Sequence, residues 1–92
     1  MMVKSDLTSL VLMNELLKQK RELERILSKY NVKDPDEIEK KIEKGEIPEH
    51  PSYEDYLSAL ALKQNIQELK KEIEEFLKTL VILMLKVVKQ RA

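Results

Sequence analysis

The chain has 92 residues, of which none is Cys, one is Gly and three are Pro. This length suits one small domain, and the lack of Cys excludes disulfides, thiolate metal ligands and Cys nucleophiles. The 17 basic and 17 acidic side chains balance, which argues against a protein that binds nucleic acid by neutralising phosphates.

Long stretches without Gly or Pro predict an all-α protein with a single domain, residues 1–92. The Gly and the three Pro all fall between residues 34 and 52, so they interrupt the chain only there. The first helix is long, and Ser5 or Asp6 is expected to cap it. The long helix, the short helix, the loop and the very long helix are predicted over residues 5–30, 35–44, 45–51 and 52–90.

The short helix and the very long helix have recognisable ends. Asp34 is a suitable N-cap, and Pro35 suits the first helical position after it. Gly45 supplies the left-handed residue that ends the short helix. Ser52, followed three residues later by Asp55, predicts a variant of the capping box at the start of the third helix.

The third helix carries the strongest pattern in the sequence. Eight apolar residues recur along it at alternating steps of four and three. Unbroken heptad spacing of this kind predicts coiled-coil packing along one seam. The seam residues of the third helix are Leu62, Ile66, Leu69, Ile73, Phe76, Leu80, Leu83 and Val87.

The first helix offers a matching seam with one polar member, Gln19, so an antiparallel helical hairpin is predicted. In this pairing Tyr30 lies near Leu62 and Leu12 lies near Leu80. Gln19 is expected to fix the register or the number of chains, or to face its own copy across a two-fold axis. The seam residues of the first helix are Leu12, Leu16, Gln19, Leu23, Ile26 and Tyr30.

The short helix is expected to cover the start of the third helix. Ile38 and Ile42 lie one turn apart, so they share one face of this helix. They are predicted to pack against Tyr56, Leu57 and Leu60.

Both long helices become apolar beyond the seam at the open end of the hairpin. Residues 80–85, named here the apolar collar, are six consecutive apolar residues, which at about 100° each surround the helix. The collar is expected to face residues 7–17. A hairpin hides one stripe per helix, so this surface predicts a homo-oligomer, a dimer that completes a four-helix-type bundle. The predicted oligomer interface consists of Leu7, Leu10, Val11, Met13, Leu17, Leu77, Val81, Ile82, Met84, Leu85 and Val88.

Two other occupants of this surface stay open. A helix of a different protein could dock there, with Met13 and Met84 as adaptable contacts. Residues 76–88 could also contact a membrane surface. They are too short for a transmembrane span, which needs about 20 apolar residues, and they contain Lys78 and Lys86.

No residue set indicates catalysis, a metal site or a cofactor. His50 is the only His, and no second His or Cys completes a metal site around it. The tyrosines Tyr30, Tyr53 and Tyr56 are expected to pack around the hairpin tip. A group of carboxylates, named here the acidic tip, is read as a solvated surface or a docking patch for a protein partner. The acidic tip consists of Glu37, Glu39, Glu43, Glu46, Glu49, Glu54 and Asp55.

The leading prediction is a non-enzymatic, cytoplasmic self-association module that acts as an adaptor or scaffold. Its Cys-free composition suits a reducing compartment, and its Lys- and Glu-rich composition is typical of a thermophilic source. The alternative is a nucleic-acid-associated accessory or regulatory protein, and a membrane-surface protein and an enzyme are weaker alternatives. The nucleic-acid-associated protein would use basic residues of an oligomer, although no aromatic residues interleave with them to stack bases. These basic residues are Lys18, Lys20, Arg21, Arg25, Lys86, Lys89 and Arg91.

Overall fold

The computed structural model describes the backbone of residues 2–91 and the side chains of residues 9–90. Within residues 2–91 all regular structure is helical: α1 (Met2–Lys29), α2 (Pro35–Glu43) and α3 (Glu49–Arg91). The predicted all-α class with three helices is confirmed. The molecule is a rod of 66 × 20 × 16 Å. The 43 residues of α3, at about 1.5 Å each, account for its length.

The first helix begins earlier than predicted. Ser5 and Asp6 lie inside α1 and not at its N-cap, because the helix already runs from Met2. The chain leaves α1 through Asn31, whose φ of 55° is left-handed. The Val32 amide then donates to the Leu27 carbonyl at 3.0 Å, a common way to end a helix.

The predicted caps of α2 are confirmed. The Asp34 side chain accepts a hydrogen bond from the Asp36 amide at 3.0 Å. The Glu37 carboxylate accepts one from the Asp34 amide at 2.9 Å. Pro35 occupies the first turn, and Gly45 follows the helix with a φ of 72°.

The start of α3 differs from the predicted capping box. The helix is interrupted at His50, whose φ of −111° and ψ of 131° are extended. The Asp55 carboxylate accepts hydrogen bonds from Lys29, the last residue of α1, and from Tyr30, which directly follows it. Asp55 therefore joins α1 to α3 and does not serve the capping box predicted with Ser52.

The hydrophobic core lies at the tip, where all three helices meet. Ile38 of α2 is fully buried and packs with Tyr56 of α3, which confirms that α2 covers the start of α3. Leu57 is 47% exposed, so the prediction that it shares this contact is wrong. The core residues are Ile26, Ile38, Tyr56 and Ala59, with Leu23, Leu27, Tyr30, Val32, Ile42, Ile47, Leu60 and Leu62 packed against them.

The register between α1 and α3 also differs from the predicted one. The Lys29 ammonium lies 2.9 Å from the Asp55 carboxylate, and the Tyr30 hydroxyl donates to the same carboxylate. Farther along the pair, Leu62 lines a groove together with Gln19. The prediction that Tyr30 lies near Leu62 is therefore wrong, because Tyr30 contacts Asp55, seven residues earlier in the chain.

This register changes what the collar faces. Continued along the antiparallel helices at about 1.5 Å per residue, it places residues 10–17 beside residues 67–75 of α3. The prediction that the collar faces residues 7–17 is therefore wrong. The collar lies nearer to the first turns of α1. The Leu7 side chain lies outside the described residues.

Candidate interaction surface

The α3 seam becomes exposed toward the open end of the hairpin. Ile66 is 6% exposed, whereas Leu80 is 36% and Leu83 is 53% exposed. Among the side chains of residues 9–90, no hydrophobic one beyond Ile66 is buried. The hairpin thus has a core at its tip and apolar surface at its open end, although the same heptad pattern runs through both.

A second apolar stripe runs along α3 beside the seam. Its members each follow a seam residue directly and recur at steps of four, three and four, so they occupy one face of the helix. All four are between 44% and 67% exposed. This surface is named the α3 outer stripe, and it consists of Leu77, Val81, Met84 and Val88.

A shorter stripe of the same kind lies on α1. Leu10, Met13 and Leu17 are 64%, 39% and 52% exposed. This surface is named the α1 outer stripe. In an antiparallel pair, positions that directly follow the seam project to the same side of both helices. The two outer stripes therefore lie on one side of the hairpin, one after the other along the rod.

The opposite side of the α3 end is mostly polar. At about 100° per residue, Thr79, Lys86 and Gln90 lie opposite the α3 outer stripe, and Lys78 and Lys89 lie on one flank, about a quarter turn from it. Residues 77–91 contain no acidic side chain. The polar and basic residues of this end of α3 therefore lie away from the α3 outer stripe, although the apolar collar continues around the helix, a distribution that the heptad analysis of the seam did not reveal.

The other predicted interface residues are also exposed in the single chain. Val11 and Leu85 are 64% and 61% exposed, and Ile82, at 53%, lies among the basic residues. In the single chain no neighbour covers these side chains.

Gln19 lies at a half-buried seam position. Its amide nitrogen donates to the Glu15 carboxylate at 3.0 Å. Its amide oxygen is shielded from solvent and has no hydrogen-bond partner. The groove beside it is lined by Glu15, Lys18, Glu22, Leu62 and Asn65. The register role predicted for Gln19 stays a prediction.

The acidic tip is partly neutralised by contacts within the chain. The hydroxyl of Tyr30 and the ammonium of Lys29 lower the pKa of Asp55. Beside the tip, Lys63 lies 2.7 Å from Asp34 and lowers the pKa of that carboxyl, with help from the Asp36 amide. These contacts join the tip to the helical pair, and the sequence pattern alone did not identify them.

The tip tyrosines pack as predicted. The Tyr53 and Tyr56 ring centroids are 6.1 Å apart, and Tyr30 packs against the core. Burial, together with the Glu39 carboxylate, raises the pKa of Tyr56. His50 is exposed, and its Nδ1 lies 2.7 Å from the Glu54 carboxylate.

The described part of the chain has neither a cluster that could hold a metal ion nor a helix that could span a membrane. No cluster of three His, Asp or Glu side chains there has the geometry of a metal site. Nor is any described helix both apolar and long enough to span a bilayer.

Of the basic residues on α1, Arg25 is paired with Glu22 at 2.6 Å.

Residues 3–80 match the model of the Uncharacterized protein MJ0235 family, so the chain belongs to that family. A relative is Uncharacterized protein MJ0235 of Methanocaldococcus jannaschii, a thermophilic archaeon, which fits the composition. It is 40% identical over 65 residues, which cover 71% of this chain and 79% of the relative. No solved structure matches the chain. The family match includes the tip and the α1 outer stripe, and of the collar it includes Leu80 alone.

Proposed function

We propose that this member of the MJ0235 family is a non-enzymatic, cytoplasmic self-association module that acts as an adaptor or scaffold. Two copies join at their open ends, and each acidic tip stays free for a protein partner. The observation that carries the proposal is the loss of burial along one continuous seam, from 6% exposed at Ile66 to 53% at Leu83. Exposed apolar surface of this extent is typical of an interaction site.

The structure of the hairpin supports a second copy as the occupant. A two-helix pair has too little core to be stable over its whole length, and self-association is a common remedy in small helical proteins. The α3 outer stripe is one continuous apolar face, which suits a second helical layer. The acidic tip lies at the other end of a 66 Å rod and does not obstruct this contact.

Sedimentation equilibrium of the whole chain tests the proposal. The chain is expected to sediment as a dimer at micromolar concentration. Met84→Glu is expected to sediment as a monomer, because dimerisation would bury an unpaired charge. Met84 is 67% exposed in the single chain, so the hairpin itself tolerates the change.

Thr79→Glu is the matched control. It adds the same charge to the same helix on the opposite, exposed side, so it is expected to stay dimeric. A wild-type chain that stays monomeric at micromolar concentration would overturn the proposal. Monomers that bind vesicles of anionic lipid would instead identify a membrane surface as the occupant.

The adaptor role has its own measurement. The dimer is expected to show no salt-dependent binding to DNA or RNA, because no aromatic residues interleave with its basic residues. Binding at low salt that weakens steeply as salt rises would favour the nucleic-acid alternative and count against an adaptor.

A further inference from the structure

The α3 outer stripe is bounded by opposite charges. Glu74 precedes Leu77 by three residues, and Arg91 follows Val88 by three, so both continue the spacing of the stripe. The order along this face is therefore Glu74, Leu77, Val81, Met84, Val88 and Arg91. Its steps of three, four, three, four and three read the same in both directions.

We propose that the α3 outer stripe packs against the same stripe of a second copy, with the two helices antiparallel. The two-fold axis passes between Ile82 and Leu83. This inference rests on the proposed self-association and adds the arrangement of the two chains. Leu77 then meets Val88 of the second copy, and Val81 meets Met84 of the second copy.

The end charges select the antiparallel arrangement. In it, the position of Glu74 lies opposite position 91, an Arg, of the second copy at both ends of the stripe. A parallel arrangement in the same register would place the acidic position opposite itself and the basic position opposite itself. Like charges at a helix interface oppose an arrangement, and unlike charges favour it.

Like charges also oppose parallel docking of the α3 outer stripe on α1 of the second copy. That register would match Leu10, Met13 and Leu17 to Val81, Met84 and Val88, but it would set Lys20 opposite position 91, an Arg. An antiparallel register would match the same three residues to Met84, Val81 and Leu77 and set Lys20 opposite Glu74, but it would place position 6, an Asp, opposite the apolar Val88. The polar and basic residues that lie away from the α3 outer stripe stay in water in the proposed antiparallel dimer, so none of them is buried.

Cysteine cross-linking of the whole chain tests the arrangement, since the native chain contains no Cys. Leu77→Cys and Val88→Cys are prepared separately, mixed and oxidised. The mixture is expected to give about tenfold more disulfide-linked dimer than either variant alone. In the proposed arrangement identical positions lie about 16 Å apart along the axis, beyond the roughly 7 Å Cα separation that a disulfide spans.

Other cross-linking patterns would overturn the inference. Efficient linking of Leu77→Cys or Val88→Cys alone would indicate parallel helices. Linking of Leu17→Cys with Val88→Cys would indicate parallel docking on α1, and linking of Leu17→Cys with Leu77→Cys would indicate antiparallel docking on α1. Sedimentation separates the two proposals, because a monomeric chain contradicts both, whereas a dimer with another pattern contradicts only the arrangement.

A charge exchange gives an independent measurement. Glu74→Arg is expected to weaken the dimer about threefold to tenfold, the range for two exposed ion pairs. Glu74→Arg combined with Arg91→Glu is expected to restore the wild-type dissociation constant. A double variant no tighter than the single one would contradict the antiparallel pairing.

Discussion

The hydroxyl of Tyr30 donates a hydrogen bond to the carboxylate of Asp55, and the Lys29 ammonium lies 2.9 Å from the same carboxylate. This contact joins the end of α1 to the second turn of α3. It fixes the register of the hairpin, because this polar contact, unlike the apolar contacts of the seam, is not repeated every seven residues.

Acid is expected to weaken the tip. The pKa of Asp55 and that of Asp34 are lowered, so both carboxylates stabilise the fold above their ordinary pKa values. This stabilisation is lost as the pH falls through the lowered values in the folded chain. The urea midpoint, followed by circular dichroism from pH 7 to pH 2, is expected to fall over that acidic range.

Asp55→Asn tests the assignment of this pH dependence. It is expected to lower the urea midpoint at pH 7 and to flatten the acidic part of the profile. Glu68→Gln is the control, since Glu68 is exposed and takes part in no ion pair among the described side chains. An unchanged profile in Asp55→Asn would exclude Asp55 as the source.

A larger side chain at Ala59 is expected to disrupt the core. Ala59 is fully buried against Ile26, Ile38 and Tyr56. Ala59→Leu is therefore expected to reduce the free energy of unfolding by about 1–3 kcal/mol, since a packed core has no room for the added carbons. Ala61→Leu, two residues later on the exposed side, is expected to change it little.

Equilibrium urea unfolding measures both variants. Equal stability of Ala59→Leu and Ala61→Leu would show that the tip is not the tightly packed part of the molecule.

Removal of the amide of Gln19 is expected to stabilise the hairpin. Its oxygen is shielded from solvent without a partner, which costs free energy that Leu would not incur. Gln19→Leu is expected to raise the free energy of unfolding by about 1 kcal/mol, measured by urea unfolding. Gln67→Leu, at an exposed position, is expected to bring no such gain. A destabilised Gln19→Leu would show that the amide has a partner in the assembled protein.

Thermal stability is expected to depend on chain concentration. A dimer gains stability by mass action, about 2.7 kcal/mol for a hundredfold increase in concentration, so its Tm rises by several degrees. Differential scanning calorimetry over that range measures the effect. Met84→Glu is expected to melt at one temperature throughout. A wild-type Tm that is independent of concentration would contradict self-association.

The heptad pattern predicted the helices and which residues form the seam, but it could not predict the register. A slip of seven residues keeps each seam residue at a seam position, so Tyr30 beside Leu62 and Tyr30 beside Asp55 are equally compatible with the spacing. The features that distinguish them are not periodic: the small Ala59 beneath Ile38, and the polar contact at Asp55. The apolar collar was visible in the sequence, whereas its neighbours on α1 depend on the register.

The length of α3 has a consequence for what the assembled protein can bind. In the proposed antiparallel dimer each tip would lie about 47 Å from the two-fold axis, counted from Pro51 at about 1.5 Å per residue. The two tips would then lie about 95 Å apart at the ends of a stiff helical spacer. A partner with two basic sites at that separation would bind bivalently, with the second site engaged at high effective concentration. A partner with closer sites would engage one tip only. The length of α3 would therefore set the separation of the two sites that a bivalent partner must have.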